Sequence, residues 1–480
     1  MTALALIWGP ILAAAAAAVW PVNRTRPWLL PATGVVHCGL AIALLVAPPV
    51  VPRDAWIGFD AIARAILPAV SLLFLMCAAY GVPYLAARGE RGNRVFVAAI
   101  LALLGLMSLA LQARHLGLLW IALEGGTLAT VPLLHFNRSP RAYEATWKYL
   151  LVGGTGIALS LLGTFFLGYA SLTDQGGGDL RFAALAAQGA ALSRPWARAG
   201  WVLLLVGYGT KMGLAPMHTW KPDAYGEAPG MVGGLMAGGL TTVAFAALLR
   251  VQQVLEAAGE GAMAARSWMA LGLFSMLVAA LFLLGTRHFK RMLAYSSVEH
   301  MGVLSVGAAL GGAGLWAALF HVWTNGITKG SLFLSAGNLR RGAGGVDVEQ
   351  ASGLAALMPW STRIFVAGVF AVTACPPFAP FFSELRLVRA AFASGRGLVA
   401  AAFLGCLLLA FFGLTRLVFA VADGRPSRQV RAVPVRLRET PGVVIPPLLL
   451  LALSVYLGLF PPDLLMEAWS AAVASLSVVP

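Results

Sequence analysis

Apolar residues fall in long uninterrupted blocks along this chain, rather than in the two-residue alternation of a strand or the single stripe of a surface helix. Blocks able to cross about 30 Å of hydrocarbon lie near 3–20, 28–51, 61–85, 95–113, 116–135, 147–171, 198–217, 230–250, 267–286, 293–312, 314–337, 361–384, 396–421 and 442–460. Each predicts a helix, because a helix satisfies its own backbone where water is absent. The pattern therefore predicts an all-α polytopic membrane protein of about 14 transmembrane helices, with both termini on one side. The first block, Met1 to Trp20, lacks a leading positive charge and precedes many more spans, so it reads as a membrane helix rather than a signal peptide.

Two blocks are interrupted. The seventh holds Lys211, Gly213 and Pro216 in GTKMGLAPMHTW, and the twelfth holds Cys375, Pro376, Pro377, Pro380 and then Glu384. Proline removes a backbone donor and clashes with the preceding turn. At membrane depth such breaks survive only inside protein or along a wet cavity, so both are expected to point inward. They lie five blocks apart, which makes spans four to eight and nine to thirteen two copies of one unit, each with a broken fourth member. An odd number of helices per copy inverts the second copy, as in secondary transporters. The expected divisions are N-terminal helices in 1–90, a first five-helix repeat in 95–250, an inverted repeat in 264–421, and a basic loop with the last span in 422–480.

Composition agrees: of 480 residues 59% are hydrophobic and 11% charged, with mean hydropathy +0.82. A water-soluble enzyme carries roughly a quarter charged residues and is excluded. The net charge of +15 is scattered in small groups with no basic stripe, which excludes nucleic acid as a partner. One set of alternate loops holds nineteen Lys and Arg, including Arg24, Arg88, Arg138, Lys148, Lys221, Lys290, Arg291, Arg340, Arg425, Arg428, Arg431, Arg436 and Arg438, against about ten on the other side. The richer side is expected to be cytoplasmic, which leaves both termini outside a bacterial or archaeal cell (inner) membrane. Cys38, Cys77, Cys375 and Cys406 all sit in apolar segments without ligand spacing, so neither a disulfide nor a metal is expected. No nucleotide, flavin, haem or nucleophile motif occurs, so the chain is expected to hold no cofactor and no catalytic residue of its own.

Ionisable groups inside spans cost about 2.5 to 3.5 kcal/mol each on insertion scales and ordinarily mark ion or proton paths. Glu124 lies mid-span in LLWIALEGGTLAT, and Lys211 lies beside a break. His321, Asn325 and Lys329 recur every fourth residue, which places them on one helix face in steps of about 6 Å. Glu299 and His300 stand together in SSVEHMG, and Glu384 follows the second break, either on the path or in the interface with Arg386. The 172–196 stretch reads as a glycine turn and a short amphipathic helix over the entrance of span seven.

The segments WIALEGGTLATVPLL, RAYEATWKYLL, GYGTKMGLAPMHTWKPDAYGEAP, FKRMLAYSSVEHMG, HVWTNGITKGSLFLSAGNL and PPFAPFFSEL resemble the antiporter-like membrane subunits shared by respiratory complex I, Mrp-type cation/proton antiporters and energy-converting [NiFe]-hydrogenases. The Glu-His pair of SSVEHMG looks most like the hydrogenase-4 (formate-hydrogenlyase-like) F-type subunit. The resemblance implies two inverted five-helix repeats, a span-five acid (Glu124) paired with a span-seven lysine (Lys211), and a hydrated axis through spans eight and eleven to Glu384. It also adds His218 as a family position, and puts Thr242 where many members carry a span-eight lysine. Lys221 replaces a usual apolar residue and reads as an extra cytoplasmic charge. The implied function is proton translocation within a multisubunit oxidoreductase, beside other membrane-arm subunits and a soluble redox arm. The alternatives are a Na+/H+ antiporter or inorganic-carbon uptake module, and a scaffold with a vestigial channel.

Overall fold

The computed structural model describes residues 2–172, 177–343, 345–347, 352–422 and 439–477. Three helices open the chain: α1 (Thr2–Val19), α2 (Leu29–Val46) and α3 (Ala61–Ala86). The first run comprises α4 (Arg94–Gln112), α5 (Leu116–Leu134), α6 (Pro140–Ala170), the short α7 (Phe182–Gln188), α8 (Arg194–Met212), α9 (Trp220–Glu227), α10 (Gly230–Leu235) and α11 (Thr241–Ala257). A π-helical turn, Met236–Leu240, joins the last two. The second run comprises α12 (Gly261–Gly285), α13 (Phe289–Leu310), α14 (Gly312–Ala343), the short α15 (Leu354–Leu357), α16 (Pro359–Val372), α17 (Ala379–Ala393) and α18 (Gly397–Ala422). Helices α19 (Pro441–Leu459) and α20 (Asp463–Ser477) complete the chain.

Among the described residues, ten helices are long and apolar enough to cross a membrane. Those outside that set are informative: α8, α13, α14 and the α16–α17 pair are the helices carrying Lys211, Glu299 with His300, the His321 ladder and Glu384. Polar residues lower the hydropathy of α8, α13 and α14, and burial by neighbours permits it, whereas the break leaves α16 and α17 only 14 and 15 residues long. The molecule's centre is α10–α11 and α14, whose glycines interlock: a Cβ on Gly238 would meet Gly326 Cα at 2.8 Å, and one on Gly230 would meet Gly337 Cα at 3.0 Å. Close backbone approach of this kind replaces the hydrophobic drive that lipid cannot supply.

Local signals set the helix starts. Ser139 accepts from the Ala142 amide at 3.0 Å ahead of Pro140, so α6 begins seven residues before the expected span. Asp60 caps α3 through the Ala63 amide at 3.0 Å. The basic loops meet at one end in a connected network: Lys148 and Arg291 share Asp223 at 3.0 and 2.6 Å, Arg340 holds Glu227 at 2.9 Å, and Arg88 bonds Asn137 at 2.8 Å. Asp60, Arg250 and Gln253 gather at the opposite end, where Gln253 reaches the Ser475 carbonyl at 2.8 Å. Lys290 belongs to the network rather than to the surface; it is buried, with Nζ 2.9 Å from the Gly226 carbonyl and 2.5 Å from that of Ala228. Nearby, His288 caps α13, its Nδ1 accepting from the Arg291 amide at 3.1 Å. Burial, then Lys290, Arg291 and Arg340, push its pKa down to about 3.

Three features bear on the expected arrangement. Beyond the last expected span, α20 turns after Pro461–Pro462 and packs on α3 and α14, with Trp469 ringed by Trp316, Phe320 and Trp323 at centroid distances of 5.3, 5.0 and 6.3 Å. Helix α7 packs on α11. The breaks face both ways: Lys211 to Ala215 and Ala379 to Pro380 are buried, but Pro216, Pro376 and Pro377 are exposed. Proline has no N–H, so it leaves no unsatisfied donor on that outward face. Arg425, Arg428, Arg431, Arg436, Arg438 and the terminal Pro480 lie outside the described residues.

Candidate functional site

Helix α8 stops at Gly213, whose φ of +79° is the left-handed cap position. The Gly213 and Leu214 amides both return to the Gly209 carbonyl, at 2.7 and 2.9 Å. Protein groups satisfy the rest of the break: Trp220 Nε1 donates to the Thr210 carbonyl at 2.8 Å and the Ala215 amide to Ser275 Oγ at 2.9 Å. Lys211 thus stands in the last turn of α8, where the helix dipole favours a cation.

The Lys211 ammonium has no hydrogen-bond partner among the described residues and lies 5.4 Å from the centroid of the Tyr149 ring. Glu124 is the charge that acts on it. The two are not in ion-pair contact among the described residues, and Glu124 Oε2 is also unpartnered. Glu124 is part-buried as a residue, with its Oε2 atom shielded from solvent.

The second half-site is compact. Lys329 on α14 is fully buried, with Nζ 2.5 Å from Ser296 Oγ, and Glu299 and Glu384 are the acids acting on it. His300 Nδ1 meets His321 Nε2 at 2.8 Å, with the rings stacked at 5.0 Å and 19°. Glu384 Oε1 lies 3.8 Å from His300 Nδ1, and His321 Nδ1 bonds Ser383 Oγ at 2.9 Å. Glu384 is therefore in the interior, while Arg386 turns away over Trp316 at 4.4 Å. His300, His321 and Glu384 offer donors within 4.8 Å of one another. Their 2.8 Å nitrogen separation is a hydrogen-bond length, which fits a shared proton between two imidazoles.

Unpartnered buried atoms line this region: both amide atoms of Asn325, both Glu384 oxygens, Glu299 Oε2 and His300 Nε2. Buried polar groups left without protein partners call for water. Two sequence candidates stand apart. His218 packs beside the stacked Phe282–Tyr295 pair, with centroids 6.3 Å from each, and Thr242 donates to the Gly238 carbonyl of the preceding π-helical turn at 3.1 Å. Lys221 overturns the reading as a cytoplasmic charge, because it is fully buried and bonds Ser297 Oγ at 3.2 Å. The serines 296, 297 and 383 went unnoticed by residue chemistry, since a lone hydroxyl in a span carries no signal until a charged partner is placed beside it.

Residues 113–410 match the family model described as NADH:quinone oxidoreductase/Mrp antiporter, TM. The chain belongs to that family. It is 36% identical to the hydrogenase-4 component F homolog of Methylacidiphilum infernorum, over 68% of this chain and 69% of that one. It is 32% identical to NADH-quinone oxidoreductase subunit N of Desulforudis audaxviator, over 92% and 91%. In fold it superposes with TM-score 0.89 on a chain of the archaeal membrane-bound sulfane sulfur reductase, at 21% identity and covering 99% and 98%. The resemblance read from the sequence is thus borne out, and the protein is an antiporter-like membrane subunit.

Proposed function

We propose that this subunit translocates protons for a membrane-bound oxidoreductase, a group 4 hydrogenase or a complex I-related complex, a reading supported by relatives named as hydrogenase-4 components and NADH-quinone oxidoreductase subunits. One observation carries the reading: a row of buried ionisable side chains, with unpartnered polar atoms between them, links the two broken helices. Lys211 loads a proton, and the charge state of Glu124 sets how tightly it is held, because a nearby opposite charge favours the protonated amine. The proton then moves laterally to Lys329 and Glu299, and on through His300, His321 and Glu384, with Asn325 and Thr242 offering hydrogen-bonding groups to intervening water. His218 serves entry from the cytoplasmic side. Residues 95–250 and 264–421 act as two inverted units, one around each lysine. Neighbouring membrane-arm subunits flank Glu124, a soluble redox arm supplies the drive, and the basic end faces the cytoplasm of a prokaryotic cell, with both termini outside.

The test uses the whole complex purified into liposomes. Glu124→Gln and Lys211→Ala are each expected to lower proton pumping at least tenfold while the complex still assembles, since the loss falls on proton affinity rather than packing. Normal pumping by either variant would overturn this role.

A further inference from the structure

We propose that Lys221 is a proton relay between the Lys211 and Lys329 half-sites. The inference rests on the translocation reading above and adds a residue to it. The wall dividing the two halves is α10–α11, and from Gly230 to Leu249 it contains no ionisable side chain. The side chain that spans this gap comes from α9 instead. Lys221 is fully buried and its ammonium lies 3.2 Å from Ser297 Oγ on α13. The adjacent residue, Ser296, holds Lys329 Nζ at 2.5 Å, so consecutive hydroxyls of one helix serve the two lysines. Lys329 is also the charge that acts on Lys221.

The break makes room for this lysine. A Cβ on Gly213 would stand 2.2 Å from Lys221 Cε, 2.4 Å from Cδ and 2.7 Å from Nζ, so the glycine that ends α8 also opens the slot through which Lys221 passes. A route to the basic end exists as well. His218 has Lys221 as its charged neighbour and packs against Tyr295, which lines a cavity of about 490 Å³ opening among Arg141, Glu227 and Arg291. A structural lysine should look different. Lys290, a few residues from the same serines, satisfies its ammonium with two backbone carbonyls, whereas Lys221 has one hydroxyl among the described residues. Burying an ammonium so poorly paired is costly and favours exchange of its proton. In the relay, the neutral Lys221 amine accepts a proton arriving past His218 or from Lys211. It then passes that proton through the Ser297 and Ser296 hydroxyls, or water bound to them, to the neutral amine of Lys329.

Lys221→Gln and Lys221→Met are each one atom shorter than lysine; the first keeps an N–H donor for Ser297, and the second keeps an unbranched, flexible chain with no N–H to donate. In the complex reconstituted into liposomes, the quantity read is protons moved per electron transferred, with Lys211→Ala measured alongside. Both Lys221 variants are expected to lower that ratio at least tenfold while electron transfer persists. A normal ratio in Lys221→Gln or Lys221→Met, with Lys211→Ala defective, would overturn the relay alone. A normal ratio in all three would overturn the translocation reading itself. If Lys221→Gln assembles poorly, Lys221→Met decides, because its apolar chain fills the same slot.

Discussion

Moving the Lys211 ammonium without changing any ionisable residue separates proton transfer from folding. Gly153, in the middle of α6, is the position that allows this. A Cβ built there lies 2.9 Å from Lys211 Nζ, while its next neighbours, Lys211 Cε and Thr127 Cγ2, are at an ordinary 3.9 Å. Gly153→Ala therefore presses on the free end of one flexible side chain and on nothing else. Relief requires the ammonium to move by roughly 1 Å, to reach van der Waals separation. Replacing a helical glycine by alanine stabilises a helix interior by about 0.5 to 1 kcal/mol, so the subunit should melt at the same temperature or slightly higher. A misplacement of about 1 Å can cost up to about 100-fold in a step that depends on alignment. The expected outcome is an assembled complex whose pumping in liposomes falls at least tenfold. Normal pumping, with assembly and melting unchanged, would refute the reasoning that Lys211 is positioned for transfer.

Two further perturbations test the frame around the site. Arg250 grips Asp60 with Nη2 at 2.9 Å from Oδ1 and also holds the Leu111 carbonyl at 2.7 Å, so Arg250→Met should cost about 2 kcal/mol. That is less than for a fully buried pair, because Asp60 keeps 24% side-chain exposure; an unchanged melting temperature in detergent would count against the pair. His288 has a folded pKa near 3 against an ordinary value near 6.5, so folding favours its neutral form, and stability present above pH 6.5 is lost as pH falls toward 3. The loss at pH 5 is about 2 kcal/mol, and His288→Asn, which caps without titrating, should flatten melting temperature between pH 7 and pH 5.

What the sequence made legible follows from what one chain position can signal. Prolines beside Lys211 and before Glu384 announced the breaks through the ionisable residue next to each, since Pro10, Pro68, Pro83, Pro132, Pro446 and Pro447 sit inside continuous helices that carry no such neighbour. The four-residue rhythm of His321, Asn325 and Lys329 put them on one face, and all three are buried on α14. Pairings between helices were not legible: His300 and His321 are 21 residues apart, and their contact depends on how α13 crosses α14. Lys221 was misjudged because a lysine at the end of an apolar block looks the same whether it snorkels to water or folds back into the core. Gly213 decides between these, and only the structure shows its slot. Helix α20 was missed since its apolar residues are interspersed with Asp463, Glu467 and serines, a pattern too polar for a span. The span-five and span-seven charges, expected as a pair, interact without touching, a separation that no spacing rule encodes.

The most direct test of the central claim is the pumping of Lys211→Arg in the reconstituted complex. Arginine preserves the positive charge beside Glu124 but keeps its proton at any accessible pH, so it cannot release it. If Lys211 carries protons, Lys211→Arg assembles and fails to pump, as Lys211→Ala does. If Lys211 serves only as the cation of a structural pair, Lys211→Arg pumps normally, and that result would contradict the account.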